Sequence, residues 1–156
     1  DIEITGSGLF VDRLSAFESI DMTSWEATKL AANEAYKQAG ITPEDLDIAE
    51  IHDAFTSVEL ISYEDLGFCK KGEGKELIRK GITNLNGKLP VNSSGGLKAK
   101  GHPISATGIS QVYEIVKQMR KQADKRQVDN VEYGLAQNIG GAGSTVTAHI
   151  LRKVSL

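Results

Sequence analysis

Several residue types that define common classes of site are scarce in this sequence. Its 156 residues include one cysteine, three histidines and three prolines, and only 6% are aromatic. A single cysteine excludes an internal disulfide and a thiolate-rich zinc site. The histidines, His52, His102 and His149, include no i, i+4 pair, so a sequence-local zinc motif is absent and we predict no metal site.

The sequence also lacks an excess of charge of one sign and a long apolar run. It carries 18 basic and 21 acidic side chains, with no basic stripe interleaved with aromatic residues, so nucleic acid is not an expected partner. No apolar run approaches the ~20 residues that a membrane span needs. The chain opens with neither an initiator Met nor the pattern of a signal peptide. We therefore expect a cytoplasmic, globular protein without a membrane span.

Hydrophobic periodicity and turn signals predict a mixed α/β fold in a single domain over residues 1–156. The predicted strands cover residues 2–11, 48–51, 133–139 and 144–151, with a brief extended segment at 88–92. The predicted helices run to residue 39 from a capping box at 23–26, then over 56–66 and 104–122. Residues 93–103 hold three glycines and a proline, and they are predicted to be loop.

Finer features of these helices are also predicted. Gly40 ends the first helix, and the alanine-rich face of that helix implies close packing against a sheet or another helix. The last helix should bury one apolar stripe, formed by Ile109, Val112, Ile115, Val116 and Met119.

Two histidines stand where α/β proteins place functional groups. His102 lies between Gly101 and Pro103 just before a helix, and helix N-termini offer free amides and a partial positive field. The alternative is that His102 merely caps its helix. His52 precedes Asp53, but adjacent strand residues point to opposite faces, so Asp53 is predicted to cap the next helix. This pattern is also compatible with a purely structural role for His52.

Three further features are weaker candidates. Cys69 has two lysines beside it, which favour a thiolate, although a lone loop cysteine is more often inert. His149 alternates with two threonines on the last strand, which indicates a surface residue. The glycine-rich residues 140–143 predict a tight hairpin turn close to a ligand or to another backbone.

Four segments taken together resemble the C-terminal half of a thiolase. They are residues 52–55 (His-Asp-Ala-Phe), 92–96 (Asn-Ser-Ser-Gly-Gly), 101–108 (Gly-His-Pro-Ile-Ser-Ala-Thr-Gly) and 138–143 (Asn-Ile-Gly-Gly-Ala-Gly). Their order and spacing fit, and the resemblance covers nearly the whole chain. The His-Asp-Ala-Phe form looks closest to sterol-carrier-protein-type thiolases, sometimes described as nonspecific lipid-transfer proteins, and to archaeal acetoacetyl-CoA thiolases.

This resemblance implies a fold and an activity. The fold is a thiolase-like half, βαβαββ, with a five-stranded mixed sheet covered by helices. The activity of the whole enzyme is CoA-dependent cleavage or formation of 3-oxoacyl-CoA, with the CoA thioester as substrate and no cofactor. The nucleophilic cysteine of the family belongs to the N-terminal half, so we expect these 156 residues alone to be inactive. The length and the missing Met agree with an excised domain.

The resemblance also implies roles and partners. His102 matches the histidine that activates the nucleophile, and His52 matches a position that builds an oxyanion hole. Gly101, Gly141 and Asn138 match substrate-binding or oxyanion-loop positions. The implied partners are the N-terminal thiolase half, CoA or acyl-CoA, a second subunit in a homodimer and, as in archaeal members, hydroxymethylglutaryl-CoA synthase with a small zinc-ribbon scaffold protein.

The sequence departs from the family at both usual acid/base cysteines. Ala54 stands in one of these positions and Asn138 in the other, and neither side chain can take a proton from a carbon acid. Cys69 or His52 is a possible surrogate in this half. The departures motivate an alternative of another class, a non-catalytic thiolase-fold subunit that binds acyl-CoA or lipid or serves as a scaffold. A related condensing enzyme, such as a ketosynthase, fits residues 138–143 less well.

Overall fold

The computed structural model describes residues 1–15, 18 and 21–154, and its strands form one mixed sheet in the order β1, β4, β3, β2. β1 pairs antiparallel with β4 and β4 antiparallel with β3, whereas β3 and β2 are parallel. The strands are β1 (Ile2–Val11), β2 (Ile48–Glu50), β3 (Tyr133–Gly140) and β4 (Thr145–Lys153). The predicted α/β class is confirmed.

The expected fifth strand is reduced to a single bridge beside β2. Val91 pairs in parallel with Ala49, and the amide of Ala49 donates to the carbonyl oxygen of Pro90 at 3.0 Å. Pro90 has no amide hydrogen, and Asn92 leaves the extended conformation with φ of 53°. Pairing therefore ends after one residue, and the described sheet has four strands instead of five.

The described residues form five α-helices, of which two pack on the sheet, one on each face. They are α1 (Glu26–Ala39), α2 (Thr56–Asp65), α3 (Gly74–Arg79), α4 (Gly96–Lys100) and α5 (Thr107–Met119). α1 packs against β1 and β4, and α5 packs against β2 and β3. Alternate strand residues join separate apolar cores, so that Ala49 belongs to the α1 side and Ile48 to the α5 side. None of the helices described is long and apolar enough to cross a membrane.

The close packing predicted for the alanine-rich helix is confirmed at β1. A Cβ atom on Gly6 would lie 2.0 Å from the carbonyl oxygen of Ala35, and one on Gly8 would lie 2.1 Å from that of Ala31. Only glycine lets the backbones of α1 and β1 approach this closely. The glycines of β1 are therefore explained by packing.

The end of α1 is as predicted and its start is not. Gly40 terminates the helix with a φ of 68°. The capping box predicted at residues 23–26 is wrong, because no side chain of this segment caps the helix. Instead Asp65, at the end of α2, accepts hydrogen bonds from the amide of Trp25 at 2.7 Å and from the hydroxyl of Ser24 at 2.8 Å. A cap supplied by another helix has no local sequence signature.

The buried face of α5 differs from the predicted stripe. Ile115 and Met119 are buried as expected, but Ile109 is 74% exposed. Two glutamines occupy the buried face because their amides are satisfied there. Gln111 donates to the carbonyl oxygen of residue 137, and Gln118 donates to that of residue 126, each at 2.8 Å. The apolar stripe alone therefore predicts the wrong rotation of this helix about its own axis.

Residues 93–103 are also more ordered than predicted. Residues 96–100 form the short helix α4, where loop was expected, and α5 begins at Thr107 instead of residue 104. The glycines serve the start and end of α4, because Gly95 and Gly101 have φ values of 95° and 94°. His102 consequently lies between two helices.

Candidate active site

His52 and His102, which are distant in sequence, are in contact in the structure. Their ring centroids are 4.9 Å apart and the ring planes stand at 88° to each other. His52 follows the carboxyl end of β2, and His102 follows α4. The carboxyl ends of parallel strands are where ligands bind in open α/β sheets. The two predicted catalytic histidines are therefore neighbours at a location suited to a ligand.

Side-chain amides from both sides hold the backbone that carries His52. The amide of His52 donates to Oε1 of Gln137, on β3, at 2.9 Å. The amide of Ile51 donates to Oδ1 of Asn92, on the opposite side, at 2.8 Å. These bonds continue the ladder beyond the last residue of β2, so His52 is fixed although it lies outside the strand.

His52 is a neutral imidazole at neutral pH. Its side chain is only 6% exposed, and burial, reinforced by the charge of His102, lowers its pKa from 6.5 to about 4 against an opposing effect of Asp53. Its Nδ1 atom is buried without a hydrogen-bond partner among the described residues. A neutral imidazole has one N–H donor and one acceptor nitrogen. His52 can therefore donate a single hydrogen bond to a substrate oxygen.

His102 is exposed, and one of its ring nitrogens has a partner. Its Nδ1 lies 2.7 Å from the hydroxyl oxygen of Thr107, the first residue of α5. The same hydroxyl donates to the carbonyl oxygen of Pro103 at 3.2 Å. The other ring nitrogen, Nε2, has no such bond among the described residues and is available to a reacting group.

Asp53 connects the segments that carry the two histidines. Its side chain is buried, and Oδ1 accepts a hydrogen bond from the amide of Leu97 at 2.6 Å. The prediction that Asp53 caps the following helix is wrong, because the N-terminus of α2 has no side-chain cap. Asp53 instead holds the first turn of α4. Gly96 is required there, because a Cβ atom would lie 2.2 Å from Oδ2 of Asp53.

Glu50 also holds the segment that leads to His102, and no sequence motif identified it. Its side chain is fully buried at the end of β2 and accepts hydrogen bonds from the amide of Ser94 at 3.0 Å and from its hydroxyl at 2.5 Å. Lys100 approaches it at 3.7 Å. Burial raises the pKa of this carboxyl, and the bonds from Ser94 and the charge of Lys100 oppose that effect. A charged residue inside an apolar strand was the available signal.

The other predicted loop residues have different surroundings. The side-chain amide of Asn138 donates to Oε1 of Gln111 at 3.1 Å. Gly141 has a φ of 60° in the hairpin turn, as the glycine cluster predicts, and Gly143 approaches the Trp25 ring so closely that a Cβ would lie 2.1 Å from Cδ1. Among the described residues, none except its chain neighbours lies within 4 Å of a Cβ placed on Gly101.

Cys69 and His149 lie outside this arrangement. Burial, followed by the charges of Glu64 and Glu73, raises the pKa of the Cys69 thiol to about 11, so the neighbouring lysines do not produce a thiolate. His149 is half-buried on β4, where its Nδ1 lies 3.0 Å from the hydroxyl of Ser7, and burial lowers its pKa. Neither residue contacts His52 or His102.

A cavity of about 630 Å³ opens beside His52. Its volume is within the range of small-molecule sites. Much of its lining is apolar, and its charged residues are of both signs, with Asp12, Asp21 and Glu26 beside Arg13 and Lys29. Of the predicted site residues, His52 and Gly141 line this cavity, and Ala54 lines it as well. A ligand with an apolar portion matches this lining.

Comparison with known proteins assigns the family. A family model described as "Thiolase C-terminal domain-like" matches residues 8–153. The chain therefore belongs to the thiolase family, in its C-terminal-domain-like part. The sequence-based identification is confirmed.

Relatives within the family carry two kinds of name. The chain is 49% identical over 133 residues to an acetyl-CoA acetyltransferase of Methanothermobacter thermautotrophicus, covering 85% of this chain and 35% of that protein. It is 40% identical over 148 residues to human sterol carrier protein 2, covering 93% of this chain and 27% of that protein. The chain thus spans about a third of the length of these relatives, or less.

Solved structures agree on the fold. The structure described as "Ltp2-ChsH2(DUF35) aldolase" matches with a TM-score of 0.85 and 27% identity, covering 96% of this chain and 38% of the other. A monomeric SCP2-thiolase like protein of Mycobacterium smegmatis matches with a TM-score of 0.72 and 18% identity, covering 99% and 30% of the two chains.

Proposed function

We propose that this chain is the C-terminal half of a thiolase that cleaves or forms 3-oxoacyl-CoA with coenzyme A, an acyltransferase of the acetyl-CoA acyltransferase type. The observation that carries the proposal is the contact of His52 with His102 in a chain of the thiolase family. Thioester exchange needs a base that deprotonates a thiol and donors that stabilise a developing oxyanion. Two adjacent imidazoles with different exposure suit these two tasks.

His102 is proposed as the base for the nucleophilic thiol. It is exposed on the surface of this chain and its Nε2 is available, so a thiol presented by the other half of the enzyme can reach it. The nucleophile is expected from that half, so these 156 residues by themselves should not turn over substrate. After deprotonation the imidazolium supports the neighbouring negative charge, as in other nucleophile–histidine pairs.

His52 is proposed as an oxyanion donor. The low pKa that burial imposes keeps it neutral, and a neutral N–H at this buried position stabilises negative charge without requiring a counter-ion. Gly101 and Gly141 are proposed to let the thioester approach the backbone. Asn138 is proposed to contribute a side-chain amide to the same loop. The CoA thioester is the substrate, and the proposed chemistry calls for no cofactor.

The second acid/base of a complete thiolase has no counterpart at its usual positions. Ala54 lines the cavity and Asn138 is an amide, so neither can abstract a proton. The high pKa of Cys69, together with its position outside the cavity lining, gives no support for Cys69 as a surrogate. His52 is a weak base at a pKa of about 4, and its N–H is assigned to the oxyanion, so we propose that a group of the other half supplies this proton transfer.

The surface around the histidines suggests where the other half binds. Exposed apolar side chains follow each of the two histidines in sequence, before α2 and up to the middle of α5, and an uncovered set of this kind marks a contact surface. They are Phe55, Ile104, Ile109 and Tyr113. We propose that the N-terminal half covers them and that the whole cytoplasmic enzyme forms a homodimer. Hydroxymethylglutaryl-CoA synthase and a zinc-ribbon scaffold protein are proposed as partners from the resemblance alone, and the two-component name of one structural neighbour supports only a second protein of some kind.

A second candidate function follows from the same two replacements. A thiolase-fold subunit without acid/base cysteines could bind acyl-CoA or lipid, or act as a scaffold, without catalysing the reaction. Ala54 and Asn138 favour this alternative. The retained histidine pair favours catalysis.

The test is an assay of CoA-dependent loss of acetoacetyl-CoA by the complete chain that contains these residues. Longer 3-oxoacyl-CoA substrates are tested in parallel, and binding of acyl-CoA is measured on the same preparation. Cleavage of any of these substrates supports the thiolase. Binding without cleavage by a folded preparation supports the non-catalytic subunit and contradicts our proposal.

A further inference from the structure

The hydroxyl group of Thr107 has two hydrogen-bonding neighbours. One is a carbonyl oxygen, which can only accept, and the other is a histidine nitrogen, which donates or accepts according to the tautomer. The hydroxyl lies 2.7 Å from Nδ1 of His102 and 3.2 Å from the carbonyl oxygen of Pro103. The Thr107 side chain is only 3% exposed, so bulk water does not compete for these bonds. The arrangement of protons among the three atoms therefore decides the state of the His102 ring.

Only one arrangement of protons makes both contacts of the Thr107 hydroxyl hydrogen bonds. A carbonyl oxygen can only accept, so the single hydroxyl proton of Thr107 is donated to Pro103. The hydroxyl oxygen then acts as an acceptor toward His102, and Nδ1 must carry the ring proton. In the opposite arrangement Thr107 donates to Nδ1 and gives up its bond to the Pro103 oxygen, which keeps the amide protons of residues 106 and 107.

We propose that Thr107 is a positioning residue that holds His102 in the Nδ1–H tautomer and so presents the lone pair of Nε2 to the reacting thiol. The expected effect of this tautomer on catalysis rests on the proposed function, because a base for a thiol needs an unprotonated nitrogen. The tautomer itself does not depend on that function. Which ring nitrogen is protonated is set by the bond that the other nitrogen makes.

The same bond serves both charge states of His102. When Nε2 takes the thiol proton, Nδ1–H still donates to the Thr107 oxygen, so the ring does not turn during the transfer. The bond also orients the ring, because Thr107 is the first residue of α5 and its backbone is held by that helix. Loss of the hydroxyl should therefore affect the rate more than the binding of substrate.

The direct test is the protonation of the His102 ring, read from nitrogen-15 chemical shifts of the wild-type chain at a pH where the ring is neutral. His102→Gln assigns the signal. We expect a proton on Nδ1 and none on Nε2. A proton on Nε2 in the wild type overturns the proposal, whatever the variants do.

Two substitutions at Thr107 extend the test. Thr107→Val removes the hydroxyl at nearly constant shape, and Thr107→Ser retains it. We expect the valine variant to lose the fixed tautomer and the serine variant to keep it. Thr28→Val is the matched control, because Thr28 is also buried on a helix but its hydroxyl has no partner among the described residues. An unchanged tautomer in Thr107→Val overturns the role of the hydroxyl.

The consequence is measured in the complete enzyme. We expect kcat of Thr107→Val to fall at least about tenfold with little change in KM, and Thr107→Ser and Thr28→Val to stay within about twofold of wild type. Equal kcat values for Thr107→Val and wild type overturn the positioning role. If the wild type has no thiolase activity, the proposed function fails while the chemical shifts still decide the tautomer, so the two failures are distinguishable.

Discussion

Oδ1 of Asp53 lies 2.6 Å from the amide nitrogen of Leu97, and this hydrogen bond ties the segment of His52 to the segment of His102. The carboxylate is buried and accepts from the first turn of α4, the helix that leads into His102. The contact of the two imidazoles therefore depends on a residue that need not touch substrate.

Replacing Asp53 with alanine should destabilise the fold and separate the histidines. The amide of Leu97 would be left buried without its acceptor, which costs about 1–3 kcal/mol. Urea denaturation measures the loss. Asp129→Ala, at an exposed position, should change stability by less than about 0.5 kcal/mol. Equal stabilities for the two variants would show that the Asp53–Leu97 bond contributes nothing.

Replacing Gly96 with alanine tests the same contact from the other side. Gly96 has a φ of 61°, and a Cβ there would lie 2.2 Å from Oδ2 of Asp53. Gly72 has a φ of 85°, and in the described part of the chain only its sequence neighbours lie within 4 Å of a Cβ there, so Gly72→Ala shows the cost of the backbone conformation alone. That cost is about 1–2 kcal/mol. We expect Gly96→Ala to lose clearly more stability in the same denaturation experiment, and equal losses would contradict the close approach.

Stability should fall in acid partly through His52. The folded pKa is about 4 and the unfolded value is 6.5, so the unfolded chain binds more protons between these values. The stabilisation that comes from burying a neutral His52 ring is complete above pH 6.5. It is lost as the pH falls toward 4, at up to about 1.4 kcal/mol in the free energy of unfolding per pH unit. His52→Gln removes it. As the pH falls through this interval, the free energy of unfolding of the wild type should fall relative to that of the variant. Parallel curves of this free energy against pH would show that His52 is not buried as a neutral ring.

Replacing Cys69 with serine should leave the reaction rate within about twofold of wild type, because the thiol is protonated at neutral pH and lies outside the cavity lining. The rate of acetoacetyl-CoA cleavage by the complete enzyme is the measurement, and thermal unfolding confirms that the variant is folded. A loss of about 100-fold or more in a folded variant would assign the missing acid/base to Cys69.

The parts of the fold that could be predicted are those with local or periodic signals. Gly40 ends α1 because a left-handed C-cap favours glycine, and the strands follow apolar runs. The caps from Asp53 and Asp65 could not be predicted, since each joins elements that are distant in sequence. Ile109 was assigned to the wrong face because a buried glutamine satisfied by hydrogen bonds competes with an isoleucine for the interior.

The candidate site was predictable in its membership and not in its geometry. The resemblance to thiolases identifies His52 and His102, but the sequence does not reveal their edge-to-face contact or the partner of each ring nitrogen. Glu50 belongs to none of the recognised segments, and Thr107 lies in the segment 101–108 without any sequence sign that its hydroxyl bonds to His102. Their importance comes from three-dimensional neighbours, Ser94 and His102 respectively.

The central claim is that His52 and His102 act as one catalytic unit, and a double-mutant cycle in the complete enzyme tests it most directly. His52→Ala, His102→Ala and the double variant are compared by kcat/KM for acetoacetyl-CoA cleavage, with His149→Ala as the control outside the site. We expect each single variant to lose about 100-fold or more and the double variant to lose far less than the product of the two. Strictly multiplicative losses, or a His102→Ala variant as active as His149→Ala, would contradict the account.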